Sequence, residues 1–483
     1  MNDLLSLSAE QVSSGARNGD FTIEDYVFQL LERINAIDKE INAFITINEK
    51  ALESARKIDT KIKRQETLGP LAGVVVGVKD NICTKDIRTT CASQLLREYR
   101  PPYDATVISR LKERDAIIIG KLNLDEFAMG STTEFGSFGP THNPWDPDYV
   151  VGGSSGGSAA SVAASECAVS LGSDTGGSIR CPASFCSVVG FKPTYGSVSR
   201  FGLISYSNSL EQIGPLARTV SDIVMMMNAI SGYDENDNTT RFEKKDEFSD
   251  ASDLKRPVRL GLVKELIEGS DPAISGIVYS AMDLLSSIGF KWEEVSLKSI
   301  DYSLASYYTI AMAEASSNLA RYDNLRYGFD CQPEGYEWNS YFSKIRNNFG
   351  EVVKKRIMIG SHVLLSGYYS KYYLKAQKIR SILRQEVKKI FKHIDVMISP
   401  TMPVLPFKLG EGVDDPLKRY LIDANTVIAN LVGAPAISIP AGFSGNLPIG
   451  LQLMTDEMQD QLLLSVSKTY EKLAGIKRKP DLV

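Results

Sequence analysis

One lysine and two serines carry the most chemistry in this sequence. Lys79 stands in Gly-Val-Lys-Asp-Asn. Ser154 stands in Gly152-Gly-Ser-Ser-Gly-Gly-Ser, and Ser178 closes Gly172-Ser-Asp-Thr-Gly-Gly-Ser, 24 positions further on. Glycine-rich turns let a backbone approach a substrate closely and aim N–H groups at it. One serine can supply a nucleophile, the other a proton relay, and the lysine a base. Together these groups point to acyl transfer at an amide.

Other readings of residues 152–178 fit less well. A phosphate-binding loop needs Gly-Lys-Ser/Thr opening a helix, and no lysine occupies that place. A Gly/Ser linker would continue into polar sequence, whereas Ser158-Ala-Ala-Ser-Val-Ala-Ala reads as a close-packing helix. A Gly-x-Ser-x-Gly elbow with a histidine base is poorly supported, since the frame Gly-Ser-Asp-Thr-Gly is centred on Asp174. The chain has three histidines, His142, His362 and His393. His142 alone lies near this core, in a segment that reads as a turn. A serine nucleophile here therefore calls for a base other than histidine. Lysine can act only when neutral, so its ordinary pKa of about 10.4 must fall through burial or nearby positive charge. Lys79 follows an apolar run that would carry its amine inside the protein. An isolated lysine after a strand is otherwise an ordinary surface residue, and the two serine turns give this one its weight.

The elements that would position these groups alternate. Ala72 to Val78, Ala116 to Ile119 and Ala168 to Leu171 read as short strands, with helical segments at 107–114 and 158–164 between them. Alternation of this kind indicates an α/β sheet covered on both faces. The N-terminal part, residues 1–65, reads as helical. Thr22 caps Ile23-Glu-Asp, and Val27, Leu30, Leu31 and Ile34 follow at helical spacing. Residues 66–232 hold the core motifs, and 233–257 form a polar, charged, exposed loop. Residues 258–483 carry helices at 302–318 and 369–394 and the strands Val396-Met-Ile-Ser-Pro and Ala436-Ile-Ser-Ile-Pro, which read as rejoining the first sheet. The expectation is one large domain, 1–483. The segment 371–392 is rich in basic residues, including Lys375, Lys378, Arg380, Arg384, Lys388 and Lys389. It could touch RNA, but a solvated helix face is the usual explanation of such a run.

Composition narrows the class. The 483 residues are 43% hydrophobic and 23% charged, with a net charge of −5. That is ordinary for a soluble globular protein and unlike a chain built to wrap nucleic acid. The six cysteines, Cys83, Cys91, Cys167, Cys181, Cys186 and Cys331, form no Cys-x-x-Cys pair and stand apart from the histidines, so reduced thiols and no metal site are expected. No basic leader precedes an apolar core and no run of about 18 apolar residues occurs, so a cytoplasmic protein with no membrane span is expected.

The motifs around Lys79, Gly152-Gly-Ser-Ser-Gly-Gly-Ser and Asp174-Thr-Gly-Gly-Ser-Ile-Arg-Cys-Pro-Ala resemble the amidase signature enzymes in order and spacing. The resemblance implies a large mixed β-sheet with helices on both faces and N-terminal helices. It also implies a Ser–cis-Ser–Lys triad: Ser178 the nucleophile, Ser154 the bridging serine after a cis peptide bond, Lys79 the base. The backbone N–H groups of Thr175, Gly176, Gly177 and Ser178 would then hold the oxyanion, and Asp174 and Arg180 could pair to hold the turn. Some positions depart from the family's usual residues: Val151 for proline, Cys181 for glutamine, Asn324 for glycine, and Phe135-Gly-Ser-Phe for Asn-Ser-x-Phe.

Further segments narrow the resemblance. Lys121-Leu-Asn-Leu-Asp-Glu-Phe-Ala-Met-Gly-Ser, Lys192-Pro-Thr-Tyr-Gly-Ser-Val-Ser-Arg-Phe-Gly-Leu, Glu314-Ala-Ser-Ser-Asn-Leu-Ala-Arg-Tyr-Asp and Arg356-Ile-Met-Ile-Gly are similar to the glutaminase chains of aminoacyl-tRNA amidotransferases. That family hydrolyses glutamine and passes ammonia to a second chain, the B component, which activates misacylated tRNA with ATP. The resemblance implies a heterotrimer with the B and C components, glutamine as substrate, and ATP and Mg2+ acting through the partner, with no cofactor in this chain. It matches Arg356 to the grip on the glutamine carboxylate, Asp423 to the receiver of the ammonium, and Tyr307 to the pocket wall. A planar guanidinium suits a bidentate carboxylate contact. A stand-alone amidase would need neither Arg356 nor Asp423, and a non-catalytic scaffold would not need Lys79, Ser154 and Ser178. The sequence leaves open whether the tRNA is Glu-tRNA(Gln), Asp-tRNA(Asn) or both.

Overall fold

A computed structural model describes residues 4–241, 248–249, 254, 257–325, 327–328, 335–411 and 420–482. Its strands are β1 (Phe44–Ile47), β2 (Val75–Lys79), β3 (Ile117–Leu122), β4 (His142–Asn143), β5 (Asp146–Val150), β6 (Val169–Asp174), β7 (Val189–Lys192), β8 (Gln212–Ala217), β9 (Arg259–Val263), β10 (Lys291–Val295), β11 (Val396–Pro400), β12 (Ala436–Ser444) and β13 (Leu447–Met454). Eleven of them form one sheet in the order β1-β3-β2-β6-β8-β7-β12-β13-β11-β9-β10. The sheet is mixed: β2 runs parallel to β3 and β6, while β6–β8, β7–β12 and β12–β13 are antiparallel. The strands of the second half extend the first half's sheet across the β7–β12 seam.

Alternation along the strands shows both faces covered. In β3, Ile117 and Ile119 pack with the N-terminal helices Ala9–Asn18 and Ile23–Ile41, while Ile118 packs on the other face with Val107, Ile223 and Leu463. In β2, Val76 and Val78 take that other face and Val75 the first. Side chains of a strand alternate sides, and a sheet buried on both faces reads as a continuous apolar run. The helix Gly156–Ala163 lies against β6 and passes so close to the backbone that a Cβ on Gly157 would come within 2.6 Å of the Ala43 carbonyl oxygen. Its run of glycine, alanine and serine makes that approach possible.

Three expectations need correction. The start of the charged segment 233–257 is not exposed throughout: Tyr233, Glu235, Asn236 and Asn238 are exposed, but Asp234, Asp237 and Thr240 are buried. The Asp234 carboxylate accepts hydrogen bonds from Thr106 and Ser199, each at 2.5 Å, and Asp237 accepts the Arg200 N–H at 2.8 Å, so burial does not leave the charges unsolvated. Residues 242–247, 250–253 and 255–256 of that segment, and Cys331, lie outside the described residues. His142 is not in a turn but in β4, which pairs with β5 in a separate hairpin, and its Nδ1 lies 2.8 Å from the Pro147 carbonyl oxygen. The basic helix spans Tyr373–Ile390. Most of its lysines are exposed, but Arg380 turns inward onto the Leu431 and Ser209 carbonyl oxygens, both at 2.8 Å. Among the described residues no helix is long and apolar enough to cross a membrane.

Candidate active site

Lys79 ends β2 and Asp174 ends the parallel strand β6, so the core motifs gather at the carboxyl ends of parallel strands, where open α/β sheets place their ligands. The Lys79 amine is wholly buried. It contacts Ser154 Oγ at 2.8 Å, Ser155 Oγ at 2.8 Å, Ser173 Oγ at 2.9 Å and the Ser173 carbonyl oxygen at 3.3 Å. Burial pulls its pKa down to about 7, against the negative charges of Asp125, Asp174 and Glu211. An amine poised there is a base at neutral pH.

The Gly153–Ser154 peptide bond is cis. Ser178 Oγ makes no hydrogen bond among the described residues, and the two serine turns are tied instead by backbone, Ser155 N–H donating to the Ser178 carbonyl at 3.1 Å. Catalytic contacts of this sort commonly tighten only when substrate is in place. Ser178 is 8% exposed, whereas Ser154 is fully buried. The outer serine can meet a substrate and the inner one can meet the lysine.

The turn after β6 is held by a buried ion pair. Arg180 donates Nε–H to Asp174 Oδ2 and Nη2–H to Oδ1, both at 3.0 Å, and extends to the Thr426 carbonyl oxygen, Asn430 Oδ1 and Gln452 Oε1. Burial alone would raise the Asp174 carboxyl. The charge and hydrogen bonds of Arg180, with Lys192 and Asn430, hold it well below the usual carboxylate range. The glycines of the turn are required. A Cβ on Gly176 would meet the Tyr307 ring at 2.4 Å, and one on Gly177, at φ +131°, would meet Thr426 Oγ1 at 2.3 Å. One of the four oxyanion donors named from the sequence is already engaged: Gly177 N–H donates to Asp174 Oδ1 at 2.8 Å. The N–H groups of Thr175, Gly176 and Ser178 have no acceptor among the described residues.

Arg356, on the helix Glu351–Leu364, and Asp423, in the turn Asp423–Asn425, are both buried. Arg356 donates to the Tyr206 hydroxyl at 2.9 Å and lies over the rings of Tyr206 and Tyr308, at 5.3 and 5.5 Å. Among the described residues it faces no carboxylate at ion-pair distance, and its Nε is buried without an acceptor. Asp423 accepts from the Tyr308 hydroxyl at 2.5 Å and Ser131 Oγ at 2.8 Å. Burial lifts Asp423 to about 6, despite these bonds and the nearby Arg356 charge. Tyr308 thus stands between a cation and an anion that do not pair. A cavity of about 70 Å³ is lined by Ser131, Phe135, Tyr308, Lys355, Arg356 and Tyr420. Tyr307 packs its ring against Gly176, and its neighbour Tyr308 makes the polar contact.

Sequence reasoning missed Ser155, Ser173, Tyr206, Tyr308 and Ser131. Ser155, Ser173 and Ser131 lie inside the quoted motifs, and counting every hydroxyl in each motif would have found them. No sequence signal ties Tyr206 to Arg356, 150 positions away. Of the family departures, Asn324 has φ +64°, the left-handed region that favours glycine and that asparagine tolerates better than most residues. Cys181 Sγ lies 3.7 Å from the Ser131 carbonyl oxygen and closes over Gly152.

The chain belongs to the amidase family, whose model matches residues 25–464. It is 50% identical over 461 residues to the A subunit of glutamyl-tRNA(Gln) amidotransferase from Sulfurisphaera tokodaii, with 95% of this chain and 96% of that protein covered. It is 49% identical over 465 residues to the same enzyme's A subunit from Cenarchaeum symbiosum, with 96% of each covered. The crystal structure of the glutamyl-tRNA(Gln) amidotransferase A subunit from Thermotoga maritima superposes with a TM-score of 0.84 at 39% identity, covering 100% of this chain and 99% of that one.

Proposed function

We propose that this chain is the glutamine-hydrolysing component of a tRNA-dependent amidotransferase, working through Ser178, Ser154 and Lys79. The observation that carries the choice of substrate is the buried Arg356 without a carboxylate partner, set across Tyr308 from the buried Asp423. A free amino acid is a zwitterion, and this pair offers one charge to each of its ends. An unpaired buried cation is otherwise costly.

Neutral Lys79 accepts a proton from Ser154, which accepts one from Ser178 as its Oγ bonds to the side-chain amide carbon. The N–H groups of Thr175, Gly176 and Ser178 face the developing oxyanion; such donors are worth roughly 3–4 kcal/mol each by mutagenesis elsewhere. The proton returns through Ser154 to the leaving nitrogen, the C–N bond breaks, and ammonia departs. Water then adds to the acyl carbon, its proton passing back along the relay, and glutamate is released. ATP and Mg2+ act through the B component, which with the C component completes a cytoplasmic heterotrimer that amidates Glu-tRNA(Gln), Asp-tRNA(Asn) or both.

Ser178→Ala should abolish glutaminase activity while the circular dichroism spectrum stays unchanged; wild-type turnover in that variant would remove Ser178 from the mechanism. Arg356→Ala should raise KM for glutamine sharply, and an unchanged KM rejects its role. Reconstitution with the B and C components and each charged tRNA decides between the two amidation products. Strong turnover of unrelated amides with none of glutamine would favour a stand-alone amidase.

A further inference from the structure

The turn after β3 joins the serine loop to the helix that carries Arg356. Asp125 N–H donates to the Ser154 carbonyl at 3.3 Å. The next residue, Glu126, is buried with 3% exposure. Its Oε1 accepts the Ser93 hydroxyl at 2.5 Å, and its Oε2 accepts the Gly350 N–H at 2.7 Å. Gly350 is the N-cap of the helix Glu351–Leu364, which has no side-chain cap of its own. A carboxylate 224 positions away supplies the missing acceptor, at the helix end where negative charge is favoured. The fit is close, because a Cβ on Gly350 would lie 2.4 Å from Glu126 Oε2. The following residue repeats the link: the Phe127 ring packs on Phe349 at 5.6 Å. Phe127 and Ala128 both lie in the left-handed region, at φ +49° and +59°. Two consecutive non-glycine residues persist there only when the surrounding structure over-determines them, and such strain gathers at functional sites.

We propose that Glu126 is a positioning residue for glutamine: by holding Gly350 it fixes where Arg356 sits relative to the Ser154 loop. The inference rests on the reading of Arg356 as the grip on the substrate carboxylate. Glu126 touches neither substrate nor the reacting atoms, so its loss weakens binding of glutamine and leaves the serine relay in place.

The test is glutaminase kinetics on the full chain with four variants. Glu126→Ala is expected to raise KM for glutamine about tenfold with kcat changed less than about twofold. Glu126→Gln keeps an acceptor oxygen for the Gly350 N–H and stays close to the wild-type KM. Gly350→Ala approaches the same contact from an exposed residue with an ordinary φ of −63°, and raises KM by displacing the carboxylate. Should Glu126→Ala fail to fold, Gly350→Ala and Glu126→Gln carry the test. In the double variant Glu126→Ala/Gly350→Ala the obstructing carboxylate is gone, so KM is no higher than in Glu126→Ala alone, the non-additivity expected of one shared contact. Fully additive effects, or a lowered kcat at unchanged KM, would overturn the role of Glu126. Arg356→Ala, measured in parallel, separates the two readings. If it leaves KM unmoved, the assignment of Arg356 fails. If it moves KM while Glu126→Ala and Gly350→Ala do not, the role of Glu126 alone fails.

Discussion

Lys79 faces four acceptors with an amine that, when neutral, has two hydrogens and one lone pair. At least one surrounding hydroxyl must therefore turn its proton toward Nζ, which is what a base requires of the group it deprotonates. The amine titrates at about 7 and is neutral above that value. Asp423, lifted to about 6, must be ionised to receive an ammonium. Both conditions fail as pH falls, so kcat/KM for glutamine should drop on the acid side, beginning near 7 with a slope of about one proton and steepening below 6. A flat profile from pH 5 to 8 would contradict the lysine as base. Lys79→Arg keeps the positive charge but cannot lose it in this range, so it should have no measurable turnover at any pH tested. At this scale the sequence was readable where motif and contact coincide: Lys79 meets Ser154 and Asp174 pairs with Arg180, whereas Ser178 Oγ is not joined to Ser154 and its turn is tied only through backbone. It was unreadable where a contact depends on the packing of distant elements, as with Tyr206 on Arg356. It also misled at Gly177, because a backbone N–H shows no sign in the sequence of which acceptor takes it.

The serine turn works because two glycines let other elements press against it. The Tyr307 ring comes from the helix Ser303–Asn318, and Thr426 comes from the end of the turn Asp423–Asn425 and donates its hydroxyl to the Gly176 carbonyl at 2.6 Å. Gly177→Ala would combine a steric collision with a positive φ, so kcat should fall at least about a hundredfold, as when oxyanion donors are displaced; near-normal kcat would show that the turn tolerates movement. Asn324 tests the same physics away from chemistry. Asn324→Ala at φ +64° should destabilise the protein by about 1–2 kcal/mol, and more than Asn324→Gly does, measured as the shift in urea midpoint. The elements named from sequence lie within a few residues of their observed places, since periodicity marks buried faces well and ends poorly, but others, such as β1 inside the segment read as helical, were not named. The helix expected at 158–164 begins at Gly156, because the tight turn ahead of it needs glycine that the helix then absorbs. The helix expected at 369–394 is shorter, Tyr373–Ile390, and in the turns before it Tyr368 packs on His362 and Tyr372 while Tyr369 packs on Tyr373. Aromatic residues at such spacing mimic a helix period without forming one.

Across the molecule, a single sheet order carries both halves of the chain. The order β8-β7-β12-β13 leaves no edge between residues 189–217 and 436–454 at which one half could be removed without exposing unpaired strands. The two halves should therefore unfold together. The three tryptophans test this, since Trp145 lies in the first half and Trp292 and Trp338 in the second. Variants retaining one tryptophan each should give coincident fluorescence transitions in urea, whereas separated midpoints would mean the seam yields first. The return of the second half to the first sheet was readable in its two apolar strand segments; the strand order was not, because pairing partners are chosen by the packed whole and not by any local run.

The clamp on Asp174 has one more consequence, which concerns time. By residue 180 a growing chain already contains Lys79, Ser154, Asp174, Ser178 and Arg180, all the groups of the proposed relay and its local ion pair. Yet the remaining partners of Arg180 are Thr426, Asn430 and Gln452, and the proposed grips on glutamine come at 356 and 423. A polypeptide still on the ribosome, or one cut short before its last strands, has the residues of the relay without the geometry that makes them act. If these groups act as proposed, glutamine hydrolysis would wait for a nearly finished chain.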